Sequence, residues 1–257
     1  MKVAEMSRWL GLVYGVTCYL FFFATFLYLI GFVGNLFVPV SMDGEVRSNP
    51  WLAGLTNVGL VALFGIQHSV MARKGFKAWL SQYIPELMER STYVLFSCLA
   101  LVIMFVGWQP MGVEIWRVEN QIGVAILYGL FFLGWGLVFT SSWLIGHFDL
   151  FGLRQTWLYW TGQPYTNLKF TQPVIYKHVR HPIYLGFMLA IWFTPVMTLT
   201  HLLFAGAMTI YILVGIFFEE KDLVAEHGDA YRKYRSEVPM LIPGWKAASP
   251  SRTAVRT

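Results

Sequence analysis

Between Trp9 and Met42 the chain runs for 34 residues without a charged side chain. A helix at the surface of a soluble fold needs a polar face, whereas about 20 consecutive apolar residues cross the hydrocarbon core of a bilayer. The first span is placed at Leu10–Phe37, and three more at Leu52–Met71, Tyr93–Trp108 and Ile122–Ile145. The last apolar region, Pro182–Phe218, has 37 residues with no charge apart from a titratable His201. That is too long for one span and enough for two short ones. Its most turn-like stretch, Met197–His201, predicts a tight helical hairpin, short enough to stop before the far side. Lys2 and Arg8 ahead of an apolar run suggest a secretory signal, but the run is too long and no clear A-x-A site follows. It reads as the first span.

Composition agrees. Hydrophobic residues make up 56% of the 257 and charged residues 13%, against about 25% charged in soluble domains. The expected fold class is an all-α integral membrane protein, a bundle of about five to six transmembrane helices with a C-terminal helical hairpin and a cytoplasmic tail helix. Residues 1–245 read as one domain, with 246–257 a disordered tail. Cations set the topology. Arg47 and Arg117 stand alone in the first and third loops. The second loop carries Arg73, Lys74, Lys77 and Arg90, the fourth Arg154, Lys169, Lys177 and Arg180, and more follow Phe218. Both termini are therefore expected in the cytoplasm, in a bacterial inner membrane. The net charge of +5 does not call for nucleic acid, because these cations flank apolar runs where anionic lipid meets them. No protein partner is implied. Cys18 and Cys98 lie in apolar runs without metal-ligand spacing, so they read as small buried hydrophobes and no metal site is expected.

Polar chemistry gathers at the ends of the hairpin. On its entry side stand His178, Arg180, His181, Pro182, Tyr184, Leu185 and Gly186, and on its exit side Glu219 and Glu220, followed by Tyr231 and Tyr234. Pro182 suits the first turn of a helix, which places Arg180 and His181 just before a helix N-terminus that favours an anion. A hairpin brings both ends together, so cations and carboxylates should form one small pocket suited to a zwitterion. Tyr231 and Tyr234 share a helical face and are positioned to cover it. On spacing alone, an interfacial anchor with an ordinary ion pair explains the same residues.

The segment Arg180 to Gly186, the Glu219–Glu220 pair and Gly228, Tyr231, Tyr234 and Val238–Pro239 resemble the isoprenylcysteine carboxyl methyltransferase and phospholipid methyltransferase group over about residues 170–243. Met240 departs from it, where those families often carry a basic residue. Further motifs at Gln67–Arg73, Glu89–Tyr93, Trp108–Pro110 and Gly146–Gln155 resemble the bacterial methanethiol S-methyltransferases. The resemblance implies S-adenosylmethionine as cofactor, S-adenosylhomocysteine as product, and a small thiol, methanethiol, converted to dimethyl sulfide. It implies a cofactor-binding hairpin and tail at 171–245 and an acceptor side at 1–170. In that front half His68, Arg73, His147, Asp149 and Arg154 fall at the same ends of the spans as the hairpin pocket, and ionisable groups at membrane depth are functional suspects. His147 with Asp149, or His68, would take the thiol proton; hydrogen bonding inside the bundle is the alternative for each histidine. Two other readings stay open: a methyltransferase for a larger lipid or isoprenylcysteine, and a haem protein using His68 and a second histidine.

Overall fold

The computed structural model describes residues 7–166, 168 and 172–244; Lys2, Lys169 and the tail expected to be disordered lie outside them. Five helices are long and apolar enough to cross a membrane. The first, α1 (Arg8–Gly34), stops three residues before the expected Phe37, capped by Asn35, whose φ of 55° is left-handed. Next, α2 (Pro50–Met71) starts on Pro50 with the Asn49 side chain accepting from Trp51 N, and a short helix α3 (Lys74–Leu80) follows. A single 3-10 turn (Glu86–Met88) leads into α4 (Glu89–Gly107). The strand β1 (Glu114–Arg117) precedes α5 (Gln121–Leu144), capped by Asn120, which accepts from Ile122 N and Gly123 N. The fourth loop folds into α6 (His147–Leu150) and α7 (Leu153–Thr161). Another 3-10 turn (Val174–Lys177) comes before the hairpin of α8 (Pro182–Trp192), β2 (Val196–Thr198) and α9 (Leu199–His227), and α10 (Asp229–Glu237) forms the tail helix.

The hairpin differs from the expected one in an informative way. Its first arm is only 11 residues, roughly 16 Å of helix. The chain then extends, and β2 pairs antiparallel with β1. Open strand edges are not tolerated in hydrocarbon, so this pairing lets a short helix reach the far end of the bundle. The helix resumes at Leu199 because the Thr198 hydroxyl accepts from His201 N. His201 therefore belongs to the first turn of α9, not to the bend. Nearby, Asp43 accepts from Asn35 Nδ2 at 2.8 Å and bonds Thr198, with His201 Nδ1 3.8 Å away. Burial alone would raise the Asp43 carboxyl, but the nearby His201 ring and the bonds from Thr198 and Asn35 outweigh that and hold it below the usual carboxylate range.

Apolar packing is densest toward this far end, where Phe32, Met42, Phe105, Trp108 and Phe204 meet, and reaches inward to Phe64, Phe131, Trp135 and Ala190. Side chains such as Val13, Leu20, Leu27, Leu55 and Ile66 remain exposed, as expected of a surface that meets lipid rather than water. Hydrocarbon gives little drive to bury apolar groups, so close backbone approach carries the packing. Gly134 of α5 and Gly186 of α8 meet this way: a Cβ on Gly134 would lie 2.6 Å from Gly186 O and 2.7 Å from Ala190 N. Gly134→Val is expected to lower the melting temperature in detergent by an overpacking cost of roughly 1–3 kcal/mol. Gly129→Val, in open space on the same helix, should change it little.

Candidate functional site

The ends of α8 and α9 meet as the sequence suggests, and Glu220 is the centre of the junction. Arg180 Nε donates to Glu220 Oε1 at 2.7 Å, and His181 Nε2 lies 3.1 Å from the same oxygen. Arg235 approaches the other oxygen at 3.9 Å. Arg180 Nη1 also donates to the carbonyls of Arg235 (3.0 Å) and Val238. Its backbone N–H reaches Pro239 O at 2.9 Å, and that of His181 reaches Met240 O at 3.2 Å. Met240 thus takes part through its main chain, so the absent basic residue is not needed for this contact. Gly228, at φ 56°, lets α10 break from α9. Tyr234 then donates to Tyr176 O at 2.6 Å, and Tyr231 is buried beside it. Burial pushes the Tyr176, Tyr231 and Tyr234 hydroxyls up, Tyr234 to about 12. These tyrosines pin the tail helix down; they are not a loose cover.

Glu219 is placed differently. Its side chain is 44% exposed, against 13% for Glu220, and its contacts are Tyr184 and, at 3.9 Å, His181 Nδ1. From Tyr184 a line of polar groups runs into the bundle. Tyr184 lies within electrostatic reach of Tyr211 and Tyr93, and Tyr93 bonds His68 Nε2 at 2.6 Å. His68 Nδ1 lies 3.0 Å from Ser97 Oγ, and its ring stacks on Phe64. Two guanidinium groups stand at the mouth of this line. Arg73 covers the ring of Phe218 at 4.5 Å, and Arg90 acts electrostatically on His68 and Tyr93. Among the described residues neither forms an ion pair with a carboxylate. Arg73 is among the residues the sequence places on this side; Tyr93, Tyr211 and Arg90 are not singled out there. Arg90 and Tyr93 lie inside the quoted motifs, but nothing in spacing alone turned them toward the hairpin.

His147 sits elsewhere. Its Nε2 meets Tyr19 at 2.9 Å and its Nδ1 meets Ser142 at 2.9 Å. Trp143 stacks on it, and Phe22, Phe139, Phe148 and Phe151 surround it. Burial lowers its pKa. None of these neighbours is shared with His68. Asp149 does not partner His147; it receives Arg154 Nη1 at 2.7 Å and Tyr165 at 3.2 Å. The charge of Asp149 adds to burial in raising the Tyr165 hydroxyl. The structure therefore brings His68 to the hairpin but leaves His147, Asp149 and Arg154 as a separate group. His178 is exposed at the end of the 3-10 turn, Leu185 is half-buried, and Gly186 and Pro182 are buried in helix packing.

Comparison with known proteins fits this arrangement. The family described as NnrU protein matches residues 57–243, which takes in the His68 group and both ends of the hairpin. A methanethiol S-methyltransferase of Crocosphaera subtropica is 55% identical over 93% of this chain and 93% of its own length. The chain belongs to the NnrU family and groups with the methanethiol S-methyltransferases. One from Mycobacterium tuberculosis is 49% identical over 93% of this chain and 98% of its own. A more distant relative, Nurim of Sus scrofa, is 28% identical over 72% of this chain and 77% of its own. No solved structure matches.

Glu220→Gln removes the charge that Arg180, His181 and Arg235 share. Breaking a buried ion pair costs about 3–5 kcal/mol, less here because the group is partly exposed. Limited proteolysis should show faster cleavage around α10, while Tyr234→Phe, losing one hydrogen bond worth about 1 kcal/mol, should have a smaller effect.

Proposed function

We propose that the protein transfers the methyl group of S-adenosylmethionine to the sulfur of methanethiol, giving dimethyl sulfide and S-adenosylhomocysteine. The relatives named as methanethiol S-methyltransferases support the reaction. The observation that carries it in the structure is the Tyr93–His68 pair, bonded at 2.6 Å in an otherwise apolar bundle beside Tyr211, on the helix that also carries Glu219. The residues present fit the cofactor. Glu219, partly exposed, would face the ammonium, and Arg73 and Arg90, which pair with no carboxylate among the described residues, would face the carboxylate. When bound, the cofactor supplies an electrophilic methyl group on a sulfonium. The hairpin set splits in this reading: Glu219 and Tyr184 face the ligand, while Arg180, His181, Glu220, Tyr231 and Tyr234 hold them in place.

The chain's own contribution is positioning, exclusion of water and removal of a proton. Of the two front-half histidines, His68 adjoins the hairpin and is assigned the proton; His147, Asp149 and Arg154 brace the junction of α1, α5 and α7. A larger lipid acceptor is the second methyl-transfer reading. The haem reading is disfavoured by hydrogen bonding, since His68 and His147 have both ring nitrogens engaged.

Purified protein given labelled cofactor and methanethiol should release dimethyl sulfide into the headspace, and little product with an isoprenylcysteine acceptor. Absence of dimethyl sulfide would sink the reading. Glu219→Gln should raise the cofactor KM about ten- to a hundredfold, from the roughly 1.5–3 kcal/mol of a charge-assisted hydrogen bond.

Every described Lys and Arg except Arg47 and Arg117 lies at the end of the bundle that holds the hairpin ends. By the positive-inside rule that end faces the cytoplasm, here of a bacterial inner membrane, where the polar cofactor is available. Methanethiol, small and apolar, can arrive through the bilayer. Reporter fusions should place the C-terminus inside; an outside signal would overturn the assignment.

A further inference from the structure

The hydrogens around His68 can be assigned from their partners. Ser97 Oγ donates to Tyr93 O at 2.9 Å. Toward His68 Nδ1, at 3.0 Å, it therefore accepts, and Nδ1 carries the ring proton. His68 Nε2 is then the bare nitrogen, and the Tyr93 hydroxyl donates to it at 2.6 Å. A phenol that donates this way keeps its oxygen lone pairs for another donor. The His68 ring also lies 6.4 Å from that of Tyr211, on the helix that carries Glu219. The charged group facing this pair is Arg90, from α4; Tyr211 faces it from α9.

We infer that Tyr93 and His68 form the proton outlet of the methyl-transfer site, Tyr93 taking the thiol proton as it hands its own to His68 Nε2. This rests on the methyl-transfer reading above. A lone pair of the thiol sulfur forms the new S–C bond. The bond from the methyl carbon to the sulfonium sulfur breaks with its electron pair, leaving a neutral thioether. The S–H proton goes to Tyr93 oxygen, and the Tyr93 hydroxyl proton goes to His68 Nε2. Tyr93 ends neutral and His68 ends as imidazolium, so the single positive charge moves without a separate thiolate forming in an apolar interior. No strong base is needed at His68, because the S–H becomes strongly acidic as its sulfur bonds the methyl carbon.

The protein contains its own comparison. Ser142 Oγ donates to Phe139 O at 2.7 Å and meets His147 Nδ1, while Tyr19 meets His147 Nε2. The connectivity is the same, but aromatic rings enclose it and Glu219 and Tyr184 are not its neighbours. Geometry around the imidazole alone does not make an outlet; the position beside the hairpin does.

The test uses the purified full chain with methanethiol and with hydrogen sulfide, a smaller and more acidic acceptor, reading initial S-adenosylhomocysteine formation across pH. Tyr93→Phe should lower kcat on methanethiol about a hundredfold or more near neutral pH, the usual scale of a proton-transfer contribution, with cofactor KM unchanged. The deficit should shrink with hydrogen sulfide, and with methanethiol as pH rises, since an acceptor already ionised has no proton to lose. Tyr19→Phe should keep the wild-type kcat. If Tyr93→Phe folds poorly, His68→Gln should show the same acceptor and pH dependence. A wild-type protein that makes no dimethyl sulfide sinks the methyl-transfer reading and the relay with it. An active wild type whose Tyr93→Phe deficit is the same for both acceptors at every pH sinks the relay alone.

Discussion

The carboxylate of Glu220 holds together the half of the protein in which chemistry can occur. It stands near the end of α9 and gathers Arg180 and His181 from the entry to α8 and Arg235 from α10. Two guanidinium groups and an imidazole converge on this one partly buried carboxylate, and the guanidinium charges would repel one another without it. Once Arg180 is fixed, its guanidinium and backbone N–H tie down carbonyls at 235, 238 and 239, and these ordinary bonds order the tail. Tyr234 completes the lock from the opposite side. The neighbouring Glu219, one residue away on the helix and therefore pointing in another direction, is the more exposed of the two and meets only the far nitrogen of His181, at 3.9 Å, and Tyr184.

At the opposite end the constraint is backbone hydrogen bonding. In hydrocarbon every N–H and C=O must find a partner within the protein. The first arm of the hairpin is too short to cross as helix alone, and the chain meets that demand by extending into a strand paired with β1. Thr198 caps the return helix, and Thr200 accepts from Met111 N at 2.7 Å. Asn57 similarly binds both the N–H and the carbonyl of Gln109. The result is a far end rigid enough to set the hairpin's rotation, and hence where Tyr184 and Tyr211 point.

Between these two ends, polar groups inside the bundle are not scattered. His68 and His147 occur in matching Ser–His–Tyr sets, each fully hydrogen-bonded, as buried imidazoles must be to avoid an unpaired polar atom. One set is sealed by aromatic rings and serves packing. The other adjoins the tyrosines that lead to Glu219. The same local chemistry thus acquires two roles through its surroundings.

Hydropathy and charge in the sequence determined the first four long spans, their limits to within a few residues, and the meeting of Arg180 and His181 with Glu220, because these follow from runs of side chains along one chain; they did not determine the length of α9, which runs on to His227. Pro182, Gly228 and the caps at Asn49 and Asn120 are local signals of the same kind. The β1–β2 pairing, the different partners of Glu219 and Glu220, the separation of His147 from Asp149 and the different surroundings of the two histidines were decided only by the tertiary structure. Each depends on how a helix is rotated about its axis and which neighbour it meets: Tyr19 and His147 are 128 residues apart, and Arg180 and Val238 are 58. In a bilayer that rotation is set less by a hydrophobic stripe than by small-residue contacts such as Gly134 on Gly186, and one chain read end to end does not show which glycines will meet.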